Sequence, residues 1–421
     1  MRLAADLPVK ARPVQYVKIC SLYGAGFYYI PGTDTCIKVG GWVRAEYNIN
    51  AGGSFNPYHT VTLDSRGKNL TNNRVRGIIT MDTRSQTEYG TLRSYIAGGF
   101  QSTNDTAGEI YAPRAFIQWA GFTAGRAVSF FDFYVTPAYS NTTNILGSDT
   151  GGGGDTVFAY TAQMGNGLSA TLSAEDAATR RTAIYGAGYI GTGATAFGGS
   201  NVGGYAGTEW PDVVGNLRID QAWGSAQIMG AIHQVRGLTT GDEVGWAVGA
   251  GFKLNLPWAH GDSITTQFAY AKGALKYIGG GLTTMIIQDG TTEATGPAFD
   301  AVLNGTSLDL TEGWSVVAGA DHHWNPMWTT SLYGGYSEIN YSDTSSATLA
   351  GAGANADWKF WQIGSRTVWT PVQNLDLSID VMYNNLDGAS FTTAAGAGAG
   401  YTAGNNGWWQ GIIRVQRNFW P

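Results

Sequence analysis

Six arginines, Arg44, Arg74, Arg76, Arg93, Arg114 and Arg126, fall within the first 126 residues. Each occupies the polar position of an apolar/polar alternation, so together they belong to the polar face of five successive strands. A Gly/Ser/Thr/Asn-rich stretch carrying Asp132, Asp149 and Asp155 follows directly. Six like charges on one wall repel each other unless water, counterions or an opposing acidic surface stands near. Across ~10 Å of water one opposite pair is worth only about 0.4 kcal/mol. Several pairs in a narrow, partly low-dielectric gap give a transverse field that orients polar solutes and disfavours apolar ones. The plainer alternative is a set of ion pairs that brace the wall.

No other constellation offers chemistry. G-x-S-x-G, H-E-x-x-H and the P-loop pattern are absent. Gly186, Gly188 and Gly191 fit G-x-G-x-x-G, but in a glycine-rich loop with no strand before or helix after, which reads as chance. His322 and His323 are adjacent, so on a strand they point to opposite faces and cannot share one ion. No catalysis, cofactor or metal is expected. The net charge of −6 argues against a nucleic-acid binder.

What positions the arginines is a set of strands. Charged residues are 13% of the chain, about half the usual ~25%. Gly is 61 of 421, and there are 15 Trp, 22 Tyr and 16 Phe. No apolar run approaches the ~18 residues of a membrane helix. Amphipathic, aromatic-rich sequence is the profile of a membrane β-barrel, although a secreted soluble β protein shares it. The start lacks a basic n-region followed by an apolar h-region and reads as a mature N-terminus.

From Ile37 a period of two sets in. Val39, Val43, Ala45 and Tyr47 alternate with Lys38, Trp42, Arg44 and Glu46; Ala115, Ile117 and Trp119 oppose Arg114, Phe116 and Gln118. Leu375, Leu377, Ile379, Val381 and Tyr383 oppose Asp376, Ser378, Asp380 and Asn384. The last strand turns Trp409, Ile413, Val415 and Phe419 outward against Gln410, Arg414, Gln416 and Asn418. Arg417 lands on the outward face, close enough to the interface to snorkel. Sixteen such strands can be counted, over residues 37–421.

The connections alternate. Short ones fall near 85–89, 121–124, 164–167, 219–223, 256–261, 324–327 and 369–373. Long ones fall near 49–72, 102–111, 133–155, 176–209, 235–244, 273–312, 341–356 and 386–406. Short periplasmic turns and long external loops are the pattern of a transmembrane barrel, and a soluble sandwich has no reason to alternate this way. Trp119, Trp223, Trp258, Trp324, Trp328, Trp369 and Trp420 lie beside short turns or at the chain end, where a girdle would sit at the headgroup level. An arginine facing lipid at mid-bilayer costs about 2–4 kcal/mol, so the six must face the lumen. The acidic loop, about 132–155, could then fold into the barrel. Residues 1–36 read as a periplasmic lead-in and a Cys-bounded hairpin. The sparse, even count of Cys20 and Cys36 fits one disulfide in an oxidising compartment, against two unpaired buried thiols.

Four segments resemble the alphaproteobacterial general porins: ValLysIleCys to ThrAspThrCys at 17–36, PheIleGlnTrpAlaGlyPhe at 116–122 with SerPhePheAspPhe at 129–133, AlaTyrThrAlaGlnMetGlyAsnGly at 159–167, and ArgValGlnArgAsnPhe at 414–419. The resemblance implies a homotrimeric, sixteen-stranded, water-filled pore in the outer membrane of a Gram-negative cell. It implies the Cys20–Cys36 disulfide and an inward-folding loop after SerPhePheAspPhe. It also implies contact with outer-membrane lipid and lipopolysaccharide, and passive passage of small hydrophilic solutes and ions. The first and last strands would meet at the subunit interface, where outward Gly77, Gly125, Ala127 and Ser129 would allow close approach. The terminal aromatic of the assembly signal is Phe419 or Trp420. A solute-specific channel, with Phe130, Phe131, Phe133 and Tyr134 as a sugar-sliding surface, is the near alternative. A soluble lectin or adhesin is the distant one.

Overall fold

The structure is a computed structural model. It describes residues 18–50, 55, 60–64, 70–104, 108–142, 146–150, 152–186, 204–238, 240–257, 261–282, 285–289, 292–351, 354–388, 390–391 and 406–419. Trp258, Trp420, Gly188 and Gly191 lie outside these residues.

Alternating sequence makes sixteen strands. They are β1 (Cys36–Ile49), β2 (Thr71–Thr87), β3 (Gly90–Thr103), β4 (Glu109–Trp119), β5 (Phe122–Ala127), β6 (Asp155–Gly165), β7 (Leu168–Glu175) and β8 (Asp212–Gln221). Then follow β9 (Gly224–Arg236), β10 (Asp242–Asn255), β11 (Ser263–Lys272), β12 (Glu312–Asn325), β13 (Trp328–Asn340), β14 (Trp358–Val372), β15 (Leu375–Asp387) and β16 (Asn406–Asn418). Each pairs antiparallel with the next, and β16 pairs with β1 from Trp42↔Asn418 to Ile49↔Gly411, which closes the barrel. Closure leaves no sheet edge, the condition for a sheet in lipid. At the seam the Phe419 N–H donates to the Gly41 carbonyl at 3.0 Å. A Cβ on Gly41 would lie 2.1 Å from the Ile78 carbonyl and 2.5 Å from the Phe419 ring, so only glycine fits there.

Turns at one end are short: 88–89, 120–121, 166–167, 222–223, 256–262, 326–327 and 373–374. The other end carries 128–154, 176–211, 273–311 and 341–357 among its loops. Two connections expected to be long, 104–108 and 237–241, are short because the strands run on into them.

The outward face is apolar and bare. Val43, Ile79, Ile117, Phe158, Leu172, Ile228, Leu332, Ile363, Ile379 and Ile413 are all exposed, while their inward neighbours are largely polar and buried. That inversion fits a protein whose outside solvent is hydrocarbon. Two aromatic belts bound it. Trp119, Trp223, Trp324, Trp328 and Trp369 are exposed at the short-turn end, with Trp328 stacked on Trp369 at 5.7 Å. At the loop end Trp246, Trp314 and Trp361 pack on Tyr270, Tyr336 and Tyr383. On β12, Trp314 and Trp324 are ten residues apart, about 34 Å of strand. At a tilt near 45° that is about 24 Å of height, the thickness of an outer-membrane apolar band.

Residues 18–35 fold beneath the short-turn end of β1. Tyr28–Tyr29 pairs with Cys36–Ile37, and Cys20 and Cys36 form a buried disulfide.

Candidate functional site

The lumen is unevenly filled. Segment 128–154 crosses it and docks on the wall formed by β8 to β15. The docking slots are glycines. A Cβ on Gly251 would lie 2.2 Å from the Phe133 ring, one on Gly319 would lie 2.6 Å from both Tyr134 and Tyr139, and one on Gly335 would lie 2.8 Å from Leu146. Polar groups on the same wall receive the backbone. Gln267 Oε1 accepts from the Phe133 and Tyr134 N–H groups at 3.0 and 2.7 Å. Gln362 Oε1 accepts from Leu146 N–H at 2.9 Å. Asp380 accepts from Ser140 Oγ and Asn141 N–H at 2.8 and 2.5 Å. Arg366 donates to the Pro137 and Ala138 carbonyls, and Arg414 to that of Asn141. With the loop in place, Leu275, Tyr277 and Ile278 from 273–311 and Tyr341 from 341–357 fill the same side in one apolar cluster.

The three loop carboxylates are spent inside this assembly. Asp132 accepts from Ser148 Oγ, from the N–H and hydroxyl of Thr150, and from Arg180 Nη2 at 3.0 Å. Asp149 accepts from the Thr136 N–H at 2.8 Å, at the start of the short helix α1 (Thr136–Tyr139). Asp155 is fully buried, accepts from Thr179 Oγ1 at 2.9 Å and stands 4.0 Å from Arg180. Burial opposes the Arg180 charge, but Asp132, Tyr277, Glu175 and Asp155 more than compensate, so its guanidinium is held above the ordinary arginine range. The acidic loop therefore anchors itself rather than presenting carboxylates to the lumen, although Asp149 and Asp132 lie within electrostatic range of Arg114.

Phe131 and Tyr134 are fully buried and Phe133 nearly so, with Phe130 packed against the same cluster. An apolar ring with a buried slot leaves water, so these four form the loop's foot on the wall, not a sliding surface.

The opposite wall, β16 to β4, lines cavities in front of the loop, although Glu46, Arg74, Arg76 and Arg414 are themselves buried. Cross-strand register stacks them in rungs. Arg414, Glu46 and Arg74 are adjacent across β16, β1 and β2, and below them come Gln416, Arg44, Arg76 and Gln101. Arg74 and Arg414 hold Glu46 between them at 2.7 and 2.5 Å. One cavity of about 220 Å³ is lined by Arg44, Arg74, Arg76, Arg114 and Arg414, with Pro137 and Asn141 of the loop opposite. A second, of about 380 Å³, shares Arg44, Pro137, Asn141 and Arg414 and adds Arg366, Asp321 and Asp376. A third, of about 440 Å³, meets the first at Thr80 and Tyr95 and opens beside the disulfide hairpin.

Two of the six arginines fall elsewhere. Arg93 lies lower, where it and Arg84 each make two contacts of 2.8–3.1 Å to Asp82. Arg126 faces outward. Ala120 and Gly121, both at positive φ, make a two-residue turn that pairs Trp119 with Phe122. The parity of inward residues therefore reverses, and Arg126 stands opposite outward Ala115. It is exposed and donates to the Gly153 carbonyl at 2.7 Å, at the rim. The same reversal turns Gly125 and Ala127 inward. Ser129, just beyond the strand, is also buried. Of the four small residues only Gly77 remains outward, beneath the Phe100 ring. Arg417 is outward at the short-turn rim, donating to the Gln373 carbonyl at 2.5 Å. His322 and His323 both reach Asp262, at 2.5 and 3.2 Å, because the strand is ending there.

Glu46, Gln267, Gln362, Arg366 and Asp380 lay on inward positions of the alternation but carried no mark of their roles. Arg180 sits in a loop with no periodicity to place it.

A closed sixteen-stranded barrel with an apolar belt outside and a charged, partly plugged lumen inside is a membrane channel. The chain belongs to the porin family: the porin subfamily pattern matches residues 6–412. It is 25% identical to porin Omp2b of Brucella suis biovar 1 over 99% of this chain and 94% of that one. It is 26% identical to porin Omp2b of Brucella canis over the same shares. Its fold is similar to the outer membrane channel DcaP of Acinetobacter baumannii, with a TM-score of 0.65 at 16% identity over 93% of this chain and 99% of that one. It is also similar to an anion-selective porin from Comamonas acidovorans, with a TM-score of 0.51 at 11% identity over 91% and 100%. The protein is a channel of the bacterial outer membrane, and the family suggests a channel rather than an enzyme.

Proposed function

We propose that small hydrophilic solutes diffuse along the β16–β4 side of the lumen, that the path is narrowest between the arginines and segment 132–154, and that it favours anions. The observation that carries this is the charge count of the lining. Arg44, Arg74, Arg76, Arg114 and Arg414 share one cavity, and Glu46 is the carboxylate set among them. A single positive charge ~5 Å from a monovalent anion attracts it by about 0.8 kcal/mol in water and about 3 kcal/mol at an effective dielectric of 20. The net excess of arginine thus biases which ion enters. Burial of Phe131, Phe133 and Tyr134, with half-buried Phe130 packed against them, disfavours the sugar-specific reading. The assembly is proposed to be a homotrimer joined through the first and last strands, with lipid and lipopolysaccharide around the rims and the disulfide hairpin as a periplasmic lead-in.

Reversal potentials in planar bilayers under a KCl gradient test the selectivity. Wild type should prefer chloride, and R74Q/R76Q/R114Q should move toward cations. A cation-preferring wild type, or an unmoved triple variant, would overturn it.

A further inference from the structure

The rung Gln416–Arg44–Arg76–Gln101 sets two arginines directly opposite each other across β1 and β2. Like charges in register destabilise a sheet unless something compensates them. One rung away Glu46 compensates Arg74 and Arg414. Arg44 and Arg76 have no carboxylate within ion-pair distance among the described residues.

Both guanidinium groups are nonetheless held in place. Arg44 Nε donates to Gln416 Oε1 at 2.7 Å and its plane lies over the Trp42 ring at 4.3 Å. Arg76 Nε donates to Gln101 Oε1 at 3.1 Å and lies over the Tyr111 ring at 4.7 Å. A neutral amide at Nε and a ring beneath fix each fork without neutralising it. The Nη atoms of both have no acceptor among the described residues, and both residues line the 220 Å³ cavity. That cavity also has an apolar side, formed by Trp42, Tyr95, Tyr111, Pro113 and Pro137.

We propose that this rung is a binding seat for a small organic carboxylate. The carboxylate oxygens take the two arginine forks, and the apolar body lies against the ring and proline shelf. Two preorganised forks recognise a planar oxyanion through paired N–H contacts. A stacked shelf adds attraction for an apolar body that chloride or phosphate lacks. This inference rests on the anion-favouring path proposed above and adds a discrete, saturable site to it.

Chloride current through single channels should fall with added benzoate and saturate. Phosphate should need at least tenfold more for the same block, and benzyl alcohol should not block. R44Q/R76Q should raise the half-blocking benzoate concentration at least tenfold. R417Q, outward at the short-turn rim and away from the seat, should block like wild type, and heat-modifiable migration of each variant in gels verifies a folded barrel. Block that rises without saturation, phosphate as effective as benzoate, or an unchanged R44Q/R76Q would overturn the seat. If wild type favours chloride yet shows no saturable block, the seat fails and the selectivity stands. If wild type favours cations, both fail.

Discussion

The two walls of this barrel are built on the same alternation and do opposite things with it. On β16 to β4 the inward positions carry long charged side chains, which keep the space in front of them wet. On β8 to β15 they include glycine and amide side chains, Gly251, Gly319, Gly335, Gln267 and Gln362 among them, which let a folded segment come within contact distance, while Arg366 and Asp380 bind its backbone. A glycine slot and a glutamine acceptor together replace the water that a strand's inner face would otherwise hold. The lesson is that the path's position in the barrel follows from which wall is short-sided, and its charge from which wall is not. Changes on the glycine wall should therefore alter how much passes, and changes on the arginine wall should alter what passes.

The largest effect is expected where the loop is locked. R180Q removes the cation buried among Asp132, Asp155 and Glu175. Losing one partner of such a buried set costs about 3–5 kcal/mol. A lower unfolding temperature in detergent and a noisy, enlarged single-channel current should follow, with selectivity little changed. A quiet wild-type conductance would break the assignment of Arg180 as the lock. Next is G319V, which pushes side-chain atoms into Tyr134 and Tyr139 at an overpacking cost of about 1–3 kcal/mol. Conductance should rise as α1 lifts from the wall; loss of chloride preference in this variant would erase the distinction between the walls. R126A sharpens the comparison from outside. Arg126 faces away from the lumen, so reversal potential should stay at the wild-type value.

The smallest effect lies at the periplasmic turn. The His323 N–H and the His322 ring hold the Asp262 carboxyl down at about 2. A depressed carboxyl stabilises above its unfolded value near ~3.9 and loses that contribution as pH falls through the folded one. Amide protection in 261–263, relative to the intrinsic exchange rate at each pH, should thus be flat from neutral pH down to about 4 and fall below it. Protection lost well above pH 4 instead would separate the turn's stability from the Asp262 carboxyl.

Much of this was legible in the sequence. The strand count, the outward apolar face and the tryptophan belt at the short turns follow from local rules: side chains alternate, and aromatic rings settle at an interface. Placing Arg44, Arg74, Arg76 and Arg114 on an inner face needed only the cost of charge in lipid. Arg126 escaped because a two-residue turn reverses parity, and the position of such a turn is a matter of register between strands. Asp132, Asp149 and Asp155 escaped for a different reason. Charge and loop composition say that carboxylates are present, but their hydrogen-bond donors are set by how the segment folds on itself, as with Ser148 and Thr136, and by Arg180 from the next loop. The aromatic run at 130–134 was ambiguous on the same ground: only the slots at Gly251 and Gly319 make burial the lower-energy choice.

By itself, then, the sequence determined a barrel, its inside and its outside, because those depend on period and on the solvent. Tertiary structure decided which acids face water, which aromatics do not, and which two arginines stand unneutralised across a rung. Those are properties of pairs of residues that lie from a dozen to well over a hundred positions apart, set by strand register and by the fit of one segment against a distant wall.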